Sequence, residues 1–346
     1  MFMTFRWFGR NDPVTLARIR QIPGITGIVS ALYDVAVGDV WPADRLRRLA
    51  DTVSDAGMRL AVIESIPVHE DIKLGRPTRD ALIDNYAASI RNMQAADVAV
   101  LCYNFMPVFD WMRTDLARAM PDGSTTLAYD DAAAAAIDLS RGTGDLPGWA
   151  TAYSASELRA LVDAYRDVNE ERLWENLSYF LERVVPVAEE CRVRMALHPD
   201  DPPWSIFGLP RIITDGAAID RLLSLVDRPA NGITFCTGSL GVRTDNDLVA
   251  MAARFAGMKR IHFAHCRNVR ITGPKRFEEV PHPSRFGDVD MAGVLGALRD
   301  GGFAGPMRPD HGRMIWDERG RPGYGLHDRA LGAVYLQGLW EGLARG

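Results

Sequence analysis

The stretch Gly305-Pro306-Met307-Arg308-Pro309-Asp310-His311-Gly312 places an acidic residue and a histidine side by side after a turn and a short apolar run. Three earlier segments have the same design, in which β-branched or aliphatic residues end in a side chain that binds metals well. They are Val193 to His198, Ile233 to Cys236 and Ile261 to His265. Four strand-like runs with four ligand-type ends require one common structural explanation.

Strand and helix patterns alternate along the chain and predict a closed (β/α)8 barrel. Helical spacing fills the gaps between apolar runs, and the long helical region from Ser154 begins with a capping box that includes Glu157. We therefore predict an α/β fold, a TIM barrel that forms a single domain over residues 1–346. An open doubly wound sheet is the alternative, although no Gly-x-Gly-x-x-Gly motif follows a strand. The predicted strands are 4–7, 24–32, 60–66, 98–105, 193–198, 232–236, 259–265 and 305–310.

The alternation is interrupted after the fourth predicted strand. Residues 106–153 contain several prolines and glycines, and they form too long a segment for a plain connection. The alanine run at 132–136 predicts a short helix within it. We therefore predict an inserted helical segment at about 106–153, which serves as a lid or as a contact between subunits.

The composition indicates an ordinary soluble globular protein, with 47% hydrophobic and 25% charged residues. A net charge of −5 and dispersed basic residues give no reason to expect nucleic acid as a partner. No stretch approaches the ~20 apolar residues of a membrane span. The four cysteines lack zinc-ribbon spacing and favour reduced thiols. We expect a cytoplasmic protein that binds neither nucleic acid nor membranes.

In such a barrel, His198, Cys236, His265 and Asp310 lie at the C-terminal ends of four adjacent strands, where barrel enzymes carry their chemistry. Two imidazoles, a thiolate and a carboxylate suit a divalent transition metal. A lone buried histidine or cysteine is more often inert, but four such strand ends are hard to explain by chance. His265 is preferred to His262 as the ligand because it lies nearer the strand end and alternation sends the two to opposite sides.

Two residues beyond the last strand have side chains suited to proton transfer. His311 follows Asp310 directly, and a histidine beside a metal is a natural general acid or base because its pKa is near neutrality. Tyr324 lies in a glycine-flanked loop above the same strand, where a phenol could relay a proton. An ordinary loop tyrosine is an equally good interpretation from the residues alone.

Further polar residues follow the same strand ends and predict a pocket for a polyhydroxylated acid. Arginine binds carboxylates through two hydrogen bonds, and amides suit hydroxyl groups. Each residue taken singly is more often a solvated loop residue than a contact. The candidate substrate-binding residues are His69, Asn104, Ser239, Arg267 and Asn268.

Several blocks of the chain are long and unusual, namely 3–9 with 11–14, 22–34, 67–75, 102–111 and 262–268. These blocks resemble those of the mannonate dehydratase family of hexuronate degradation, and the resemblance runs from the first strand to Gly312. It implies a metal-dependent barrel, related in fold to the xylose isomerases, that converts D-mannonate to 2-keto-3-deoxy-D-gluconate with loss of water. The resemblance implies four metal ligands, His198, Cys236, His265 and Asp310. It also implies a catalytic pair, His311 and Tyr324.

The resemblance also implies a cofactor, since the family's usual metal is manganese. Ligand softness would suit zinc or iron, as Fe2+, at least as well, because the set includes a thiolate. We expect a homo-oligomer, with a dimer favoured, because insertions on barrel loops often form subunit contacts. Two alternatives stay open: a metal-dependent sugar or sugar-acid isomerase or epimerase of the same fold, and a non-catalytic sugar-acid-binding protein.

Overall fold

Eight parallel strands close into a barrel in the computed structural model, which describes residues 1–138 and 154–344. In chain order the described strands are β1 (Phe2–Arg6), β2 (Ile25–Ser30), β3 (Arg59–Glu64), β4 (Val100–Tyr103), β5 (Asp115–Ala119), β6 (Thr125–Asp130), β7 (Arg194–Leu197), β8 (Asn231–Cys236), β9 (Ile261–His265), β10 (Asn268–Gly273), β11 (Arg276–Val280) and β12 (Pro306–Arg308). The barrel runs β1-β2-β3-β4-β7-β8-β9-β12 and closes back onto β1. The predicted barrel is thereby confirmed.

Helices connect the barrel strands close to the positions that the 3.6-residue spacing predicts. None in the described part of the chain is both long and apolar enough to cross a membrane. The helices are α1 (Leu16–Ile19), α2 (Ala43–Asp55), α3 (Glu70–Leu74), α4 (Arg79–Asn92), α5 (Asp131–Ala135), α6 (Ala155–Ala164), α7 (Glu170–Glu190), α8 (Gly216–Leu225), α9 (Thr237–Gly241), α10 (Leu248–Gly257), α11 (Met291–Asp300) and α12 (His327–Leu343), with short 3-10 turns at Met93–Ala96 and Ser284–Phe286.

The helical region that follows Ser154 illustrates how local sequence sets these boundaries. Ser154 and Glu157 form the predicted capping box at the start of α6. The longer helix α7 begins after Asn169, whose side chain accepts a hydrogen bond from Arg172 N. Its apolar residues recur on one side and are buried, as Leu177 is. Burial of that stripe holds α7 on the outside of the barrel.

A second sheet was not predicted from the sequence. The hairpin β5–β6 and the hairpin β10–β11 join through an antiparallel β6–β11 pair into a four-stranded sheet, in the order β10-β11-β6-β5. The second hairpin starts three residues after His265, the last residue of β9. The sheet therefore lies close to the strand ends at which the metal-binding residues were predicted.

The insertion at 106–153 is only partly helical where it is described. Its described part, residues 106–138, contains the β5–β6 hairpin, and the alanine run forms the short helix α5 as predicted. The Asp130 side chain caps that helix by accepting a hydrogen bond from Ala132 N. Residues 139–153, which complete the predicted insertion, lie outside the described residues.

The inside of the barrel is closed by a small apolar cluster contributed by alternate residues of five strands. Because side chains alternate along a strand, the last inward position of each strand projects above this cluster. Polar side chains at the strand ends therefore meet over an apolar floor. The floor consists of Val29, Val62, Val100, Cys102, Ala196 and Phe263.

Candidate active site

Three of the predicted metal ligands meet above the barrel floor. His198 follows β7 directly, Cys236 ends β8 and His265 ends β9. Their ligand atoms lie within 4.8 Å of one another, and His198 Nε2 is 3.2 Å from His265 Nδ1. The register of the parallel strands produces this meeting, because Cys236 and His265 are direct partners across β8 and β9.

The His198 ring is oriented by a backbone contact. Its Nδ1 lies 2.7 Å from the carbonyl oxygen of Pro199, which can only accept, so Nδ1 carries the proton and donates it. The lone pair of Nε2 then faces the ligand cluster. Burial lowers the pKa of His198, although nearby carboxylates including Asp310 oppose the shift. The ring is therefore neutral at pH 7, as metal binding requires.

The Cys236 sulfur lies at the beginning of the short helix α9 and caps it. The backbone N–H of Ser239 donates to Sγ at 3.4 Å, and the Ser239 hydroxyl donates at 3.1 Å. Both donors would stabilise negative charge on the sulfur. Sγ also lies 3.7 Å from Asp310 Oδ2. The sequence predicted Ser239 as a substrate contact, whereas its hydroxyl supports a candidate ligand.

Asp310 completes the cluster two residues after β12. Its φ of 54° lies in the left-handed region, an uncommon backbone conformation for a non-glycine residue. Oδ1 is 3.6 Å from His265 Nδ1, and the carboxylate accepts from Arg308 at 2.9 Å and from Arg267 at 3.0 Å. Burial favours the neutral acid, but the two guanidinium groups and two histidines hold the pKa well below its usual range. Asp310 is therefore an anion.

His265 touches a carboxylate on the side away from the cluster. Its Nε2 accepts from Arg308 Nε at 3.0 Å and lies 3.5 Å from Glu64 Oε2. Because Nε2 accepts from Arg308, Nδ1 carries the proton in this arrangement, and a metal ion bound through Nδ1 would have to displace it. A carboxylate behind a histidine ligand is a common second-layer partner in metal sites.

The donor set fits a divalent metal ion. The two imidazoles have ring nitrogens facing one another, the thiol receives two hydrogen bonds, and the carboxylate is ionised. These are residue types that bind transition metals. His198, Cys236 and His265 form the tightest group, with Asp310 beside it.

The predicted proton-transfer pair is also in contact. His311 Nε2 lies 2.9 Å from Tyr324 Oη, and the two rings meet edge to face. Burial raises the pKa of Tyr324 to about 12, so its phenol is protonated at neutral pH. On the other side of the ring, His311 Nδ1 lies 2.9 Å from Glu279 Oε1. His311 Nε2 is 3.9 Å from Asp310 Oδ1, which places the pair beside the candidate metal ligands.

His198, Asp310, His311 and Tyr324 line an open cavity. Asn104 and Arg267, both predicted as substrate contacts, are among its lining residues. His69 instead caps α3 by accepting from Asp71 N, and it does not line this cavity. Asn268 donates to the carbonyl oxygens of Pro281 and Pro283 and likewise does not line it. The structure thus brings only part of the predicted polar set to the cavity.

Six acidic or basic residues of the site were missed, among them Asp110, which lines the cavity. The strand-end rule applied to every strand would have found three of the others. Arg6 ends β1, Glu64 ends β3 and Arg308 ends β12. Glu279 lies on the unpredicted second sheet, and Asp201 lies in a loop after β7. Among the described residues, the buried Nε and Nη1 of Arg6 and the buried Nη1 of Arg308 make no hydrogen bond. Both arginines line the cavity and bring positive charge to it.

Comparison with known proteins covers the whole chain. The model of the family described as D-mannonate dehydratase (UxuA) matches residues 1–346. A mannonate dehydratase of Streptococcus uberis is 54% identical over 345 residues, which span 100% of this chain and 99% of the relative. The crystal structure of mannonate dehydratase from Streptococcus suis serotype 2 superposes with a TM-score of 0.93 at 50% identity, covering 100% of this chain and 95% of that one.

More distant structures share the barrel alone. L-ribulose 3-epimerase superposes with a TM-score of 0.54 at 13% identity, covering 100% of this chain and 96% of that one. Identity at that level supports the fold and no particular reaction. The full-length match and the identity above one half separate the dehydratases from these barrels. The chain therefore belongs to the D-mannonate dehydratase family.

Proposed function

We propose that this protein converts D-mannonate to 2-keto-3-deoxy-D-gluconate and water, a step of hexuronate catabolism. One observation carries the proposal beyond family membership: Asp310 of the metal-type cluster adjoins the His311–Tyr324 pair, with 3.9 Å between His311 Nε2 and Asp310 Oδ1. His198 and Asp310 line one cavity together with this pair. A Lewis acid and a proton carrier in contact are what the dehydration of a sugar acid requires.

The difficult step is removal of the proton at C2, because the neighbouring carboxylate is already negative. A divalent ion held by His198, Cys236, His265 and Asp310 would supply a Lewis acid for the negative charge that develops on the substrate. The Pro199 carbonyl keeps His198 in its ligand form, and the Ser239 hydroxyl would stabilise a thiolate on Cys236.

His311 and Tyr324 perform the proton transfers. One of them takes the C2 proton, and the other protonates the hydroxyl that leaves C3, so that C2–H and C3–O break while a C2=C3 double bond forms. The hydroxyl departs as water, and the enol tautomerises to the 2-keto acid. Their shared hydrogen bond of 2.9 Å allows a proton to pass between the two groups.

The cavity offers donors for an anionic, hydroxylated substrate. Arg6 and Arg308 both line this space, and a guanidinium group binds a carboxylate with good geometry. Asn104 lines the same space, although its Oδ1 already accepts from Met106 N. We assign these three residues to substrate binding.

The proposed cofactor is Mn2+, with Fe2+ or another divalent metal as the alternative. Co2+ substitution tests the ligands directly, because a cobalt–thiolate bond produces a charge-transfer absorption. We expect this band in the wild type, its loss in Cys236→Ser, and its retention in Cys191→Ser, which changes a half-buried cysteine at the end of α7. A band that survives Cys236→Ser would exclude this cysteine as a ligand. Turnover after reconstitution with each metal identifies the working ion.

Incubation of the purified protein with D-mannonate and Mn2+, followed by an assay for a 2-keto-3-deoxy acid, tests the reaction. We expect His311→Gln and Tyr324→Phe to lower turnover by ~100-fold or more. Tyr335→Phe, which changes a tyrosine on α12, is the matched control and should keep full activity. Near-normal turnover in both site variants would refute the assignment of the pair. An isomerised acid without loss of water would instead support the isomerase alternative.

We further propose a homodimer that works in the cytoplasm. Light scattering on the eluting protein gives the mass of the particle, and a mass near twice 38.3 kDa is expected.

A further inference from the structure

We infer that Glu279 is a positioning residue for this site: its carboxylate holds His311 in the form that carries the proton on Nδ1 and presents the Nε2 lone pair to Tyr324. The inference rests on the proposed dehydratase function only for the catalytic consequence, because the arrangement itself can be measured without turnover. It gives the second sheet, which the barrel does not need for closure, a direct connection to the proton chemistry.

The contact between Glu279 and His311 is close and buried. Glu279 Oε1 and Oε2 lie 2.9 Å and 3.1 Å from His311 Nδ1, and both residues are at least 96% buried. The His311–Glu279 contact spans 32 residues of sequence, since β11 carries Glu279 and β12 precedes His311. No local hydrogen bonding within one loop would produce it. A buried imidazole with a carboxylate on one nitrogen has its tautomer fixed by that carboxylate.

The carboxylate is itself firmly held. Arg113 donates to Glu279 Oε1 through Nε at 3.1 Å and through Nη2 at 2.8 Å. Thr126 on β6 donates its hydroxyl to the backbone carbonyl of Glu279 at 2.8 Å. Burial favours the neutral acid, but the Arg267 and Arg113 guanidinium groups hold the pKa of Glu279 below its usual range. Glu279 therefore remains an ionised group that can only accept hydrogen bonds.

One neighbour competes for His311 Nδ1. Arg267 Nη1 lies 3.0 Å from this nitrogen, and it also donates to Asp310 Oδ2 at 3.0 Å. A bare Nδ1 could accept from Arg267, but it would then place its lone pair against the Glu279 carboxylate. A protonated Nδ1 satisfies Glu279 and leaves Arg267 its bonds to Asp310 and Asp201. The second arrangement gives the Glu279 carboxylate a donor on His311 and avoids a lone pair facing that carboxylate, so it is the one we infer.

The tautomer decides what Tyr324 can do. With the proton on Nδ1, Nε2 is an acceptor and can take the phenol proton across the 2.9 Å contact. With the proton on Nε2, the ring would donate to the phenol oxygen, and the phenol proton would have no acceptor on His311. A loss of the Glu279 charge should therefore impair proton transfer more than substrate binding.

Glu279→Gln tests this inference, because it keeps the shape of the side chain and removes the charge. In the full chain loaded with diamagnetic Zn2+ and 15N-labelled at histidine, long-range proton–nitrogen spectra distinguish protonated from bare ring nitrogens. The His311 signals are assigned by their absence in His311→Gln. We expect Nδ1–H in the wild type and Nε2–H in Glu279→Gln. With Mn2+, kcat should fall by ~100-fold or more while KM for mannonate is retained.

Two further variants separate positioning from structural support. Asp201→Asn removes a carboxylate from Arg113 and Arg267 without touching His311, so it should leave the Nδ1–H signal in place. Glu279→Asp restores a carboxylate and should recover part of kcat relative to the glutamine variant. Retention of Nδ1–H or of wild-type kcat in Glu279→Gln would overturn the inference. A bare Nδ1 in the wild type would also overturn it. The wild-type spectrum alone decides the question if Glu279→Gln does not fold. A wild type that fails to dehydrate mannonate refutes the proposed function and leaves the tautomer result to stand by itself.

Discussion

Replacement of Ser239 by alanine should weaken metal binding and leave the substrate KM nearly unchanged. Strand-end position alone suggests that Ser239 binds substrate, yet its hydroxyl donates to Cys236 Sγ at 3.1 Å and accepts from Arg267 Nη2 at 3.2 Å. The residue is fully buried. These contacts assign it to the support of the sulfur ligand.

The size of the effect follows from the hydrogen bonds that remain. Alanine keeps the backbone N–H at 3.4 Å from Sγ and removes the shorter hydroxyl contact. A hydrogen bond to a charged group contributes ~1.5–3 kcal/mol. One decade of affinity corresponds to ~1.4 kcal/mol, so the dissociation constant should rise ~10–100-fold, the range expected for partners behind metal ligands.

The assay is a metal titration of the metal-free protein against a chelator of known affinity, with kinetics at saturating metal in parallel. Ser30→Ala is the matched control, since it removes another fully buried hydroxyl, which donates to the Trp7 carbonyl at 2.8 Å. An unchanged metal affinity together with a raised KM in Ser239→Ala would show that Ser239 contacts substrate and that the reasoning from the thiol contact is wrong.

Three further predictions concern stability and alignment. Lys73→Met leaves the buried Glu70 carboxylate without its 2.7 Å partner and should lower the free energy of unfolding by ~3–5 kcal/mol; a wild-type denaturant midpoint would contradict this. Arg329→Met removes a guanidinium group that donates to the carbonyl oxygens of Tyr324 and Gly325, so kcat should fall by up to ~100-fold through misplacement of the phenol; steady-state kinetics that match the wild type would refute that role. Burial lowers the pKa of His262 to about 3 from 6.5, so between these pH values the unfolded chain binds a proton that the folded chain does not. The free energy of unfolding should therefore fall with decreasing pH in that range, by up to ~1.4 kcal/mol per pH unit. His262→Gln should remove this component from urea unfolding curves recorded across that range, and equal slopes in both proteins would contradict the assignment.

The barrel was predictable because its two periodicities are strong in this sequence. Buried parallel strands produce continuous apolar runs, and the outer helices carry one apolar stripe each. The second sheet was not predictable in the same way, since its strands are short and its outer strand β5 is polar and exposed. In β5, for example, four of five residues are exposed, so no apolar alternation marks it. The strands β6 and β11, whose pairing joins the two hairpins, are separated by 145 residues along the chain.

For the site, the sequence indicated where functional side chains lie better than it indicated which groups they contact. Strand-end placement brought His198, Cys236 and His265 within ligand distance of one another. The same rule could not show that Arg267 donates hydrogen bonds to Asp201, Asp310 and Ser239. Asp310 and Asp201 lie 43 and 66 residues away from it along the chain. Glutamate in a charged strand looks like a solvated residue until the strand's neighbours are known.

The pairing of charges around the cavity explains why a barrel of this kind suits an acid rather than a neutral sugar. Its buried ion pairs form one continuous chain, in which every arginine lies between carboxylates or ends the series. Cations and anions are equal in number along it, so the chain of ion pairs is neutral by itself. A divalent ion with one thiolate ligand would add a single positive charge, and an uncompensated charge in a buried site is costly. A monoanionic sugar acid supplies the missing negative charge, which a neutral sugar cannot. The series is Arg6, Glu64, Arg308, Asp310, Arg267, Asp201, Arg113 and Glu279.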